Sequence, residues 1–399
     1  MTRTHPGVTT SALSAPAPST SGWAARIPAP VLVPAGHSAR IIDALLGMLL
    51  IYRIAVPGVP LPIPQLAAIV LIGVALFRRP TRSFATAWWY PLMTPLLLLF
   101  LVVETWANGL APERRAGNLA VLMLFAAFLA SGRIDIGSVL KGLGFALALN
   151  AVLFYVGVAP DDYEGKLTGY LQDKNAAALV YAVVAVLLLF VVRRTWLHVL
   201  ILIGGAAAIV ATDSRTTMAA FAISLLFLFG SRWLRRGFQI VLLLGCVLLF
   251  LWADANLSTW GDYSVTREGS DEFRMRIDTA SSLKAQAAPW YGNGLGQATV
   301  NLDSGTWFFH NSYEALVVEG GLVLLVVVLA MYAITGLGLS TRVQVDVLTL
   351  QSRSITAATL IIFLCATRLG EVFFAPIGFL VLGIGLARLL APIKSPTMN

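Results

Sequence analysis

A histidine and an asparagine stand side by side where a polar stretch meets an apolar one, in GTWFFHNSYEALVVEGG (305–321). The chain has only 4 histidines, and His310 is the one at this boundary. An imidazole can accept a proton near neutral pH, so His310 is a candidate general base. The alternative is an interfacial histidine that only makes a hydrogen bond. Asn311 is a supporting candidate, and Glu314 and Glu319 either orient the imidazole or face the interior of a helix bundle.

Arg215 is the first candidate for binding an anion. It lies in TDSRTT, between two apolar runs. An arginine at membrane depth is costly unless it faces a partner or a wet cavity. Its planar guanidinium suits phosphate oxygens. The structural alternative is a salt bridge, for which Asp213 is the nearest partner.

Arg274 and Arg276 lie on a predicted amphipathic helix at about 272–287. Residues at i and i+2 point to different faces of a helix, so we expect only one of the two to face a site. The other is expected to be solvated or paired with a nearby carboxylate. The carboxylates in reach are Asp271, Glu272 and Asp278.

Lys174 and Asn175 open an apolar run, and Asp173 is a candidate cap of the helix that follows. Lys174 is a further candidate anion contact, with snorkelling of its ammonium as the alternative. Arg368, in CATRLGE, is one more arginine on the predicted outer side. The glycine-rich WYGNGLGQ (290–297) lacks the Gly-Lys-Ser/Thr ending of a P-loop, so we interpret it as a tight turn that returns the chain to the membrane. No residue cluster has metal-ligand spacing, and we expect no metal and no cofactor.

Composition indicates which elements position these residues. The chain has 399 residues, of which 58% are hydrophobic and 12% charged, about half the charged fraction of a soluble domain. Apolar stretches of roughly 16–25 residues recur along most of the chain, which indicates membrane-spanning helices. The formal net charge is +8. The Lys and Arg residues lie in short loops, so orientation in the membrane explains this charge better than nucleic acid does.

The sequence therefore predicts an all-α polytopic membrane protein with about twelve transmembrane helices. The predicted spans fall near 40–56, 61–77, 87–104, 116–131, 138–158, 174–192, 196–212, 215–230, 237–253, 312–338, 355–369 and 371–390. The predicted units are a disordered cytoplasmic tail (1–38), helices 1–9 (39–253), one large extracytoplasmic loop between helices 9 and 10 (254–311), helices 10–12 (312–391) and a cytoplasmic tail (392–399).

The arginine content of the loops predicts the orientation. The Arg-rich loops RRPTRS, RRT and SRWLRRG are expected in the cytoplasm, which makes both termini cytoplasmic. The alternate stretches, at 159–175 and 253–273, are rich in Asp and Glu and are expected outside. His310 then lies on the outer face, where the large loop re-enters the membrane.

Four segments of the chain, in order, resemble the signature of the bacterial O-antigen ligase and O-antigen polymerase superfamily. LTGYLQDKNAAAL resembles its Gly-x-x-x-(Asp/His)-Lys-Asn element, and DSRTT resembles its Ser-Arg element at the outer end of a span. FRMRIDTASSLKAQAAPWYGNG resembles the stretch in which an arginine begins a helix before a Pro-x-x-Gly turn, and the spacing fits Arg274 better than Arg276. GNGLGQ…HNSYEALVVEGG resembles the element in which His-Asn opens a membrane helix. The resemblance covers residues 160–325.

The resemblance implies a GT-C type of fold and a metal-independent membrane glycosyltransferase of the bacterial inner membrane. Its donor would be a glycan on undecaprenyl diphosphate. A ligase moves the glycan to the lipid A–core oligosaccharide or another surface glycan, and a polymerase moves it to another lipid-linked repeat. His310 would be the base or orienting residue for the acceptor hydroxyl. Arg215 and Arg274, or Arg276, would hold the donor diphosphate, with Lys174 as a further contact.

Two other functions fit a polytopic membrane protein. A transporter or flippase would place polar residues near the bilayer midplane, whereas the candidates here cluster at the outer end and only Asp43 and Arg53 are exceptions. An inactive scaffold is the weaker alternative. The aromatic residues of the outer loop offer flat surfaces for sugars. They are Trp260, Tyr263, Trp290, Tyr291, Trp307 and Phe308.

Overall fold

The computed structural model describes residues 31–34, 39–54, 58, 61–257, 268–302, 305–339 and 349–393. Most of the predicted tails at 1–38 and 392–399, together with Trp260 and Tyr263, lie outside these residues. The described helices are α1 (Ile41–Leu49), α2 (Ile63–Leu76), α3 (Trp89–Ala107), α4 (Glu113–Ala130), α5 (Ile136–Tyr155), α6 (Lys174–Leu188), α7 (Thr195–Ala211), α8 (Arg215–Gly230), α9 (Arg236–Leu257), α10 (Glu268–Ala287), α11 (Ser312–Thr335), α12 (Leu350–Cys365) and α13 (Pro376–Ala387). The described strands are β1 (Arg82–Ser83), β2 (Thr299–Leu302), β3 (Gly305–Phe308) and β4 (Ala391–Pro392).

The fold is predominantly helical, and a helix lies in each predicted span. Within the described residues, 5 helices are long and apolar enough to cross a membrane by length and composition: Trp89–Ala107, Ile136–Tyr155, Arg215–Trp233, Gly237–Asn256 and Ser312–Thr335. The shorter apolar helices are α2, α6, α7, α12 and α13. The structure thus supports an all-α polytopic membrane protein, and the number of twelve spans stays a prediction.

Capping side chains fix where two of the helices begin. Asp173, the predicted cap of α6, accepts a hydrogen bond from the Ala176 N–H at 2.7 Å. Asn311 caps α11 and accepts from the Tyr313 N–H at 2.9 Å. Each cap satisfies an N–H group that the first helical turn leaves without a backbone partner. As a result, Lys174 is the first residue of α6, and His310 directly precedes the cap of α11.

Apolar side chains from the helices form one large core, and a smaller cluster lies beside it. In the smaller cluster α10, the antiparallel hairpin β2–β3 and the start of α11 pack together. Its buried members are Ile277, Ala298, Val300, Phe309, Ala315 and Val318. This cluster holds the extramembrane helix α10 against the residues around His310.

Of the two exceptional polar residues near the first predicted span, Asp43 is fully buried. Its carboxylate accepts hydrogen bonds from Arg78 Nη1 at 2.6 and 2.8 Å and from the Asp135 N–H at 2.8 Å. The Arg53 side chain is exposed, and its backbone N–H donates to the Tyr170 carbonyl at 2.9 Å. Asp43 therefore forms a buried ion pair with Arg78 of the RRPTRS loop, which is a structural role.

Candidate active site

The segments that carry the candidate residues meet at one end of the helix bundle. The starts of α6, α8 and α11 and the end of α12 are joined there by side-chain and backbone hydrogen bonds. They run from Ser214 Oγ to Asn175 Oδ1 (3.0 Å), from Cys365 Sγ to Thr217 Oγ1 (3.8 Å) and from Ser312 N to Ala366 O (2.8 Å). Asn175 and the Ser-Arg element, which the sequence lists as separate motifs, are thus direct neighbours.

His310 is paired with a carboxylate of the extramembrane helix. Its Nδ1 lies 2.9 Å from Oδ1 of Asp278 on α10, and the two side chains are 30% and 36% exposed. A carboxylate at Nδ1 accepts the proton of that nitrogen and leaves Nε2 as the proton acceptor. Within the described part of the chain, Nε2 has no hydrogen-bond partner. Asp278, which the sequence suggests only as a partner for the arginines, is therefore the carboxylate at the imidazole.

Glu314 lies in the first turn of α11, close to this pair. It is hydrogen-bonded with Ser282 of α10, and the charge of Asp278 acts on it. The structure therefore brings two carboxyl groups, those of Asp278 and Glu314, to the side of His310 that faces α10.

Asp278 also shares a helix face with Arg274, four residues earlier. Burial and the charge and hydrogen bond of Asp173 raise the pKa of Tyr163, and the positive charge of Arg274 opposes this rise. Tyr163 donates to Asp173 Oδ2 at 3.3 Å. One face of α10 thus reaches the loop before α6 through Arg274 and reaches His310 through Asp278. The spacing of four was the signal in the sequence that could have linked Asp278 to the site.

Arg276 is exposed, as Arg274 is. It lies two residues from Arg274, so the two side chains leave α10 in different directions. Tyr163, on whose pKa the charge of Arg274 acts, lies in the loop before α6.

Cationic side chains gather where α6 and α8 begin. Asp213, between α7 and α8, forms ion pairs with Lys166 Nζ at 2.9 Å and with Lys174 Nζ at 3.8 Å. Arg215 lies two residues after Asp213, at the first position of α8, and its side chain is exposed. Lys166, which the sequence does not single out, therefore joins Lys174 and Arg215 in one short region. The Asp213 carboxylate, proposed as a partner for Arg215, binds the two lysines.

Arg368 stands between two aspartates of neighbouring helices. Its Nε lies 3.1 Å and its Nη2 2.8 Å from Asp254 Oδ2 on α9. Its pKa is raised by the Asp254 hydrogen bonds and, although burial opposes the rise, also by the charges of Asp254 and Asp278. Arg368 is thus bound to the end of α9 through Asp254, and its charge interacts with that of Asp278.

Glu319 lies away from the imidazole, in the interior of the bundle. It is 1% exposed and accepts hydrogen bonds from Arg115 Nη2 at 3.0 and 3.2 Å and from the Gly296 N–H at 3.1 Å. Arg115, on α4, also pairs with Glu371 through Nη1 at 2.7 Å. Of the two alternatives for Glu319, the structure thus shows the interior one, with an arginine partner that the sequence analysis did not consider.

The glycine-rich segment 290–297 is the predicted turn, and it docks on a break in α11. The break lies at Gly320 and Gly321, whose backbone angles are not helical. The Asn293 N–H donates to the Val318 carbonyl at 2.7 Å, and the Leu322 N–H donates to the Trp290 carbonyl at 2.8 Å. The turn thus satisfies backbone groups that the break would otherwise leave without partners.

Aromatic side chains remain exposed on the segment that includes the glycine-rich turn and the hairpin β2–β3. Trp290 and Phe308 are each 65% exposed, and Tyr291 is 41% exposed. Trp307 is 38% exposed and packs edge-on against Phe273 of α10, with ring centroids 4.9 Å apart. Phe308 lies two residues before His310, so an exposed ring stands beside the candidate base.

The fold and the site together define a polytopic helical membrane protein whose polar and cationic side chains converge at one end. Residues 199–329 match the family model described as O-Antigen ligase. This match supports the resemblance to the O-antigen ligase and polymerase superfamily, and three of the four motifs lie within the matched residues. The matched region includes Arg215, Arg274 and His310. No match to a curated protein is found for this chain.

Proposed function

We propose that the chain is an O-antigen ligase-like glycosyltransferase of the bacterial inner membrane. It would move a glycan from an undecaprenyl diphosphate donor to an acceptor hydroxyl on the outer face. The acceptor would be the lipid A–core oligosaccharide or another surface glycan. The observation that carries the proposal is the pairing of His310 with Asp278 of α10, at the end of the bundle where Lys166 and Lys174 pair with Asp213.

The proposed reaction uses one proton acceptor and one group of cations. Nε2 of His310 takes the proton of the acceptor hydroxyl while its oxygen attacks the anomeric carbon of the donor sugar. The bond between that carbon and the diphosphate oxygen breaks, and undecaprenyl diphosphate leaves with the electron pair. The proton then remains on His310 until solvent removes it, which restores the base.

Fixed positive charge would stabilise the leaving diphosphate, because negative charge develops on it as the sugar bond breaks. Arg215 and Arg274 are assigned to the phosphate oxygens, for which a guanidinium offers two parallel donors. Lys166 and Lys174 would add charge at the same end. No metal ion is needed in this scheme. Among the described residues, no group of three or more His, Cys, Asp and Glu side chains is arranged to hold one.

The acceptor glycan is assigned to the side of His310 that carries the exposed aromatic rings. Sugars bind through the apolar faces of their rings, which pack on aromatic side chains. Phe308 and Trp290 offer such faces on the outer element. The donor lipid would lie along the apolar helices, with its diphosphate at the cationic end of α6 and α8.

The test is a strain in which His310→Ala replaces the natural chain. We expect loss of surface glycan transfer, because no base remains at Nε2, with normal membrane levels of the protein. The matched control is His198→Ala, since His198 lies in the first turn of α7 and bonds the Val192 carbonyl at 2.7 Å, outside the proposed site. Normal surface polysaccharide in the His310→Ala strain would contradict the proposal.

A polymerase is the second candidate, because the superfamily includes both activities. The glycan phenotype of a deletion strain separates them. Long chains that stay on the lipid carrier indicate a lost ligase. A single repeat on its normal acceptor indicates a lost polymerase. Accumulation of unmodified carrier-linked glycan on the cytoplasmic face would instead favour the transporter or flippase alternative.

A further inference from the structure

We propose that Asp278 is a positioning residue for His310, and that Arg368, which Asp254 binds, supports Asp278 with its positive charge. The Asp278–His310 pair joins α10 to the start of α11, and the Asp254–Arg368 pair joins α9 to the turn after α12. The inference rests on the proposed function, in which His310 accepts a proton. It adds how Nε2 of His310 is made available as the proton acceptor, and which residues hold the imidazole in that orientation.

The first link selects the tautomer of His310. Asp278 Oδ1 lies 2.9 Å from Nδ1, and an ionised carboxylate can only accept a hydrogen bond. The imidazole therefore carries its proton on Nδ1, and Nε2 is the nitrogen that can take a proton from the acceptor hydroxyl. A positive charge that forms on the ring during transfer is stabilised by the same carboxylate.

The second link holds the carboxylate. Asp278 is on α10, and α10 meets the rest of the protein through a small apolar cluster that includes Ile277, next to Asp278. Arg368 brings a positive charge from the turn after α12, and that charge interacts with Asp278. Asp254 in turn binds Arg368 through two nitrogens, which fixes the plane of the guanidinium.

The turn that carries Arg368 is tied to the segment that carries His310. The Ser312 N–H donates to the Ala366 carbonyl at 2.8 Å, and the Val372 N–H donates to Ser312 Oγ at 3.0 Å. Gly370 packs so closely on the Phe309 carbonyl that any side chain at 370 would overlap it. Direct contacts therefore join the Arg368 turn to the segment that carries His310, and the docking of α10 brings Asp278 to the imidazole.

The charged groups that face His310 come from each element packed around it. Asp278 comes from α10, Glu314 from α11 and Arg368 from the turn after α12, with Asp254 of α9 one step further. Removal of the Asp278 carboxylate takes away the hydrogen-bond acceptor at Nδ1 of His310, and the maximal rate should then fall.

The experiment uses the full-length protein, labelled with ¹⁵N-histidine, in detergent. The chain has 4 histidines, so His310→Gln assigns the His310 signals. We expect the Nδ1–H tautomer in the natural protein and a loss of that preference in Asp278→Asn. Glu272→Gln, which removes an exposed carboxylate from the same helix, is the matched control and should leave the tautomer unchanged.

Transfer is measured in parallel, with membranes that contain the lipid-linked glycan as the donor probe. Asp278→Asn should lower the maximal rate by at least about 100-fold, since a positioned base contributes that much, with little change in KM for the donor. Asp278→Glu keeps a carboxylate and should recover part of the rate, which separates positioning from misfolding. Arg368→Gln should give a smaller loss of the maximal rate.

Two results would overturn the inference. One is an Nε2–H tautomer of His310 in the natural protein. The other is a transfer rate that does not change in Asp278→Asn. If His310→Ala keeps full transfer but the His310 tautomer changes in Asp278→Asn, the proposed function is wrong and the Asp278–His310 pairing is still supported. The two failures can therefore be distinguished.

Discussion

Arg115 and Glu319 form an ion pair between α4 and α11, with Arg115 Nη2 3.0 Å from Glu319 Oε1. The carboxylate is almost fully buried, and it also accepts the Gly296 N–H of the glycine-rich turn. One side chain thus connects the break in α11, the turn that docks on it and the start of α4. Because His310 lies at the head of α11, this pair fixes the helix on which the candidate base is built.

The first prediction concerns the stability that this pair provides. Arg115→Met leaves the Glu319 carboxylate buried without its partner, which costs about 3–5 kcal/mol in comparable sites. We expect a clear fall in the thermal unfolding midpoint of the purified protein in detergent. The double variant Arg115→Met with Glu319→Leu should recover part of the loss, because no unpaired charge remains. Arg114→Met, at the exposed neighbouring position, is the control.

The second prediction concerns the docking of the glycine-rich turn. Gly321 has φ +66°, a conformation that side chains rarely adopt, and a Cβ there would overlap the Trp290 carbonyl. Gly321→Ala should displace the turn and lower both the folded yield and transfer. Gly245→Ala, in α9 with open space around it, should change neither. Equal yields for the two variants would show that the turn does not depend on this contact.

Much of the fold follows from local pattern, since a long apolar run must form a helix in lipid. The cap at Asp173 and the turn at 290–297 are equally local, and the sequence indicates both of them. The helix α10 is also readable from its amphipathic pattern. These features share one property: the residues that define them are close together in the chain.

The partners across the site are different, because they depend on how helices pack. Arg115 and Glu319 are 204 positions apart, and His310 and Asp278 are 32 apart. No periodicity of a single helix tells which carboxylate meets which base. For the same reason the sequence offers Glu314 and Glu319 as partners of the imidazole and Asp278 only as a partner of the arginines, and the docking of α10 shows that Asp278 is the carboxylate at His310. Lys166 escapes notice because a lysine in a polar loop has no distinguishing pattern.

The third prediction concerns orientation in the membrane. The charge rule puts the loop before α6 outside and the RRT loop inside. In spheroplasts, Glu164→Cys should react with an impermeant maleimide, and Arg193→Cys should react only after permeabilisation. Both positions are exposed, and the native thiols, Cys246 and Cys365, are buried, so background labelling should be low. Labelling of Arg193→Cys in intact spheroplasts would reverse the topology and remove the site from the outer face.

The fourth prediction concerns the guanidinium of Arg215. Lysine keeps the positive charge but loses the planar fork that binds two phosphate oxygens at once. If Arg215 holds the diphosphate as charge develops on it, Arg215→Lys should lower the maximal transfer rate by at least about tenfold, which corresponds to about 1.4 kcal/mol. Donor affinity should change less, because the interaction strengthens in the transition state.

If Arg215 only formed a salt bridge, Arg215→Lys would keep the natural transfer rate, because a lysine can form that pair as well. Turnover of Arg215→Lys at the natural rate would therefore assign Arg215 to structure and leave the diphosphate to Arg274 and the two lysines. Arg79→Lys, at an exposed position in the RRPTRS loop, is the control for replacing an arginine by a lysine. Comparison of both variants over a range of donor concentrations separates a loss in maximal rate from a loss in binding, and only the first supports a role at the breaking bond.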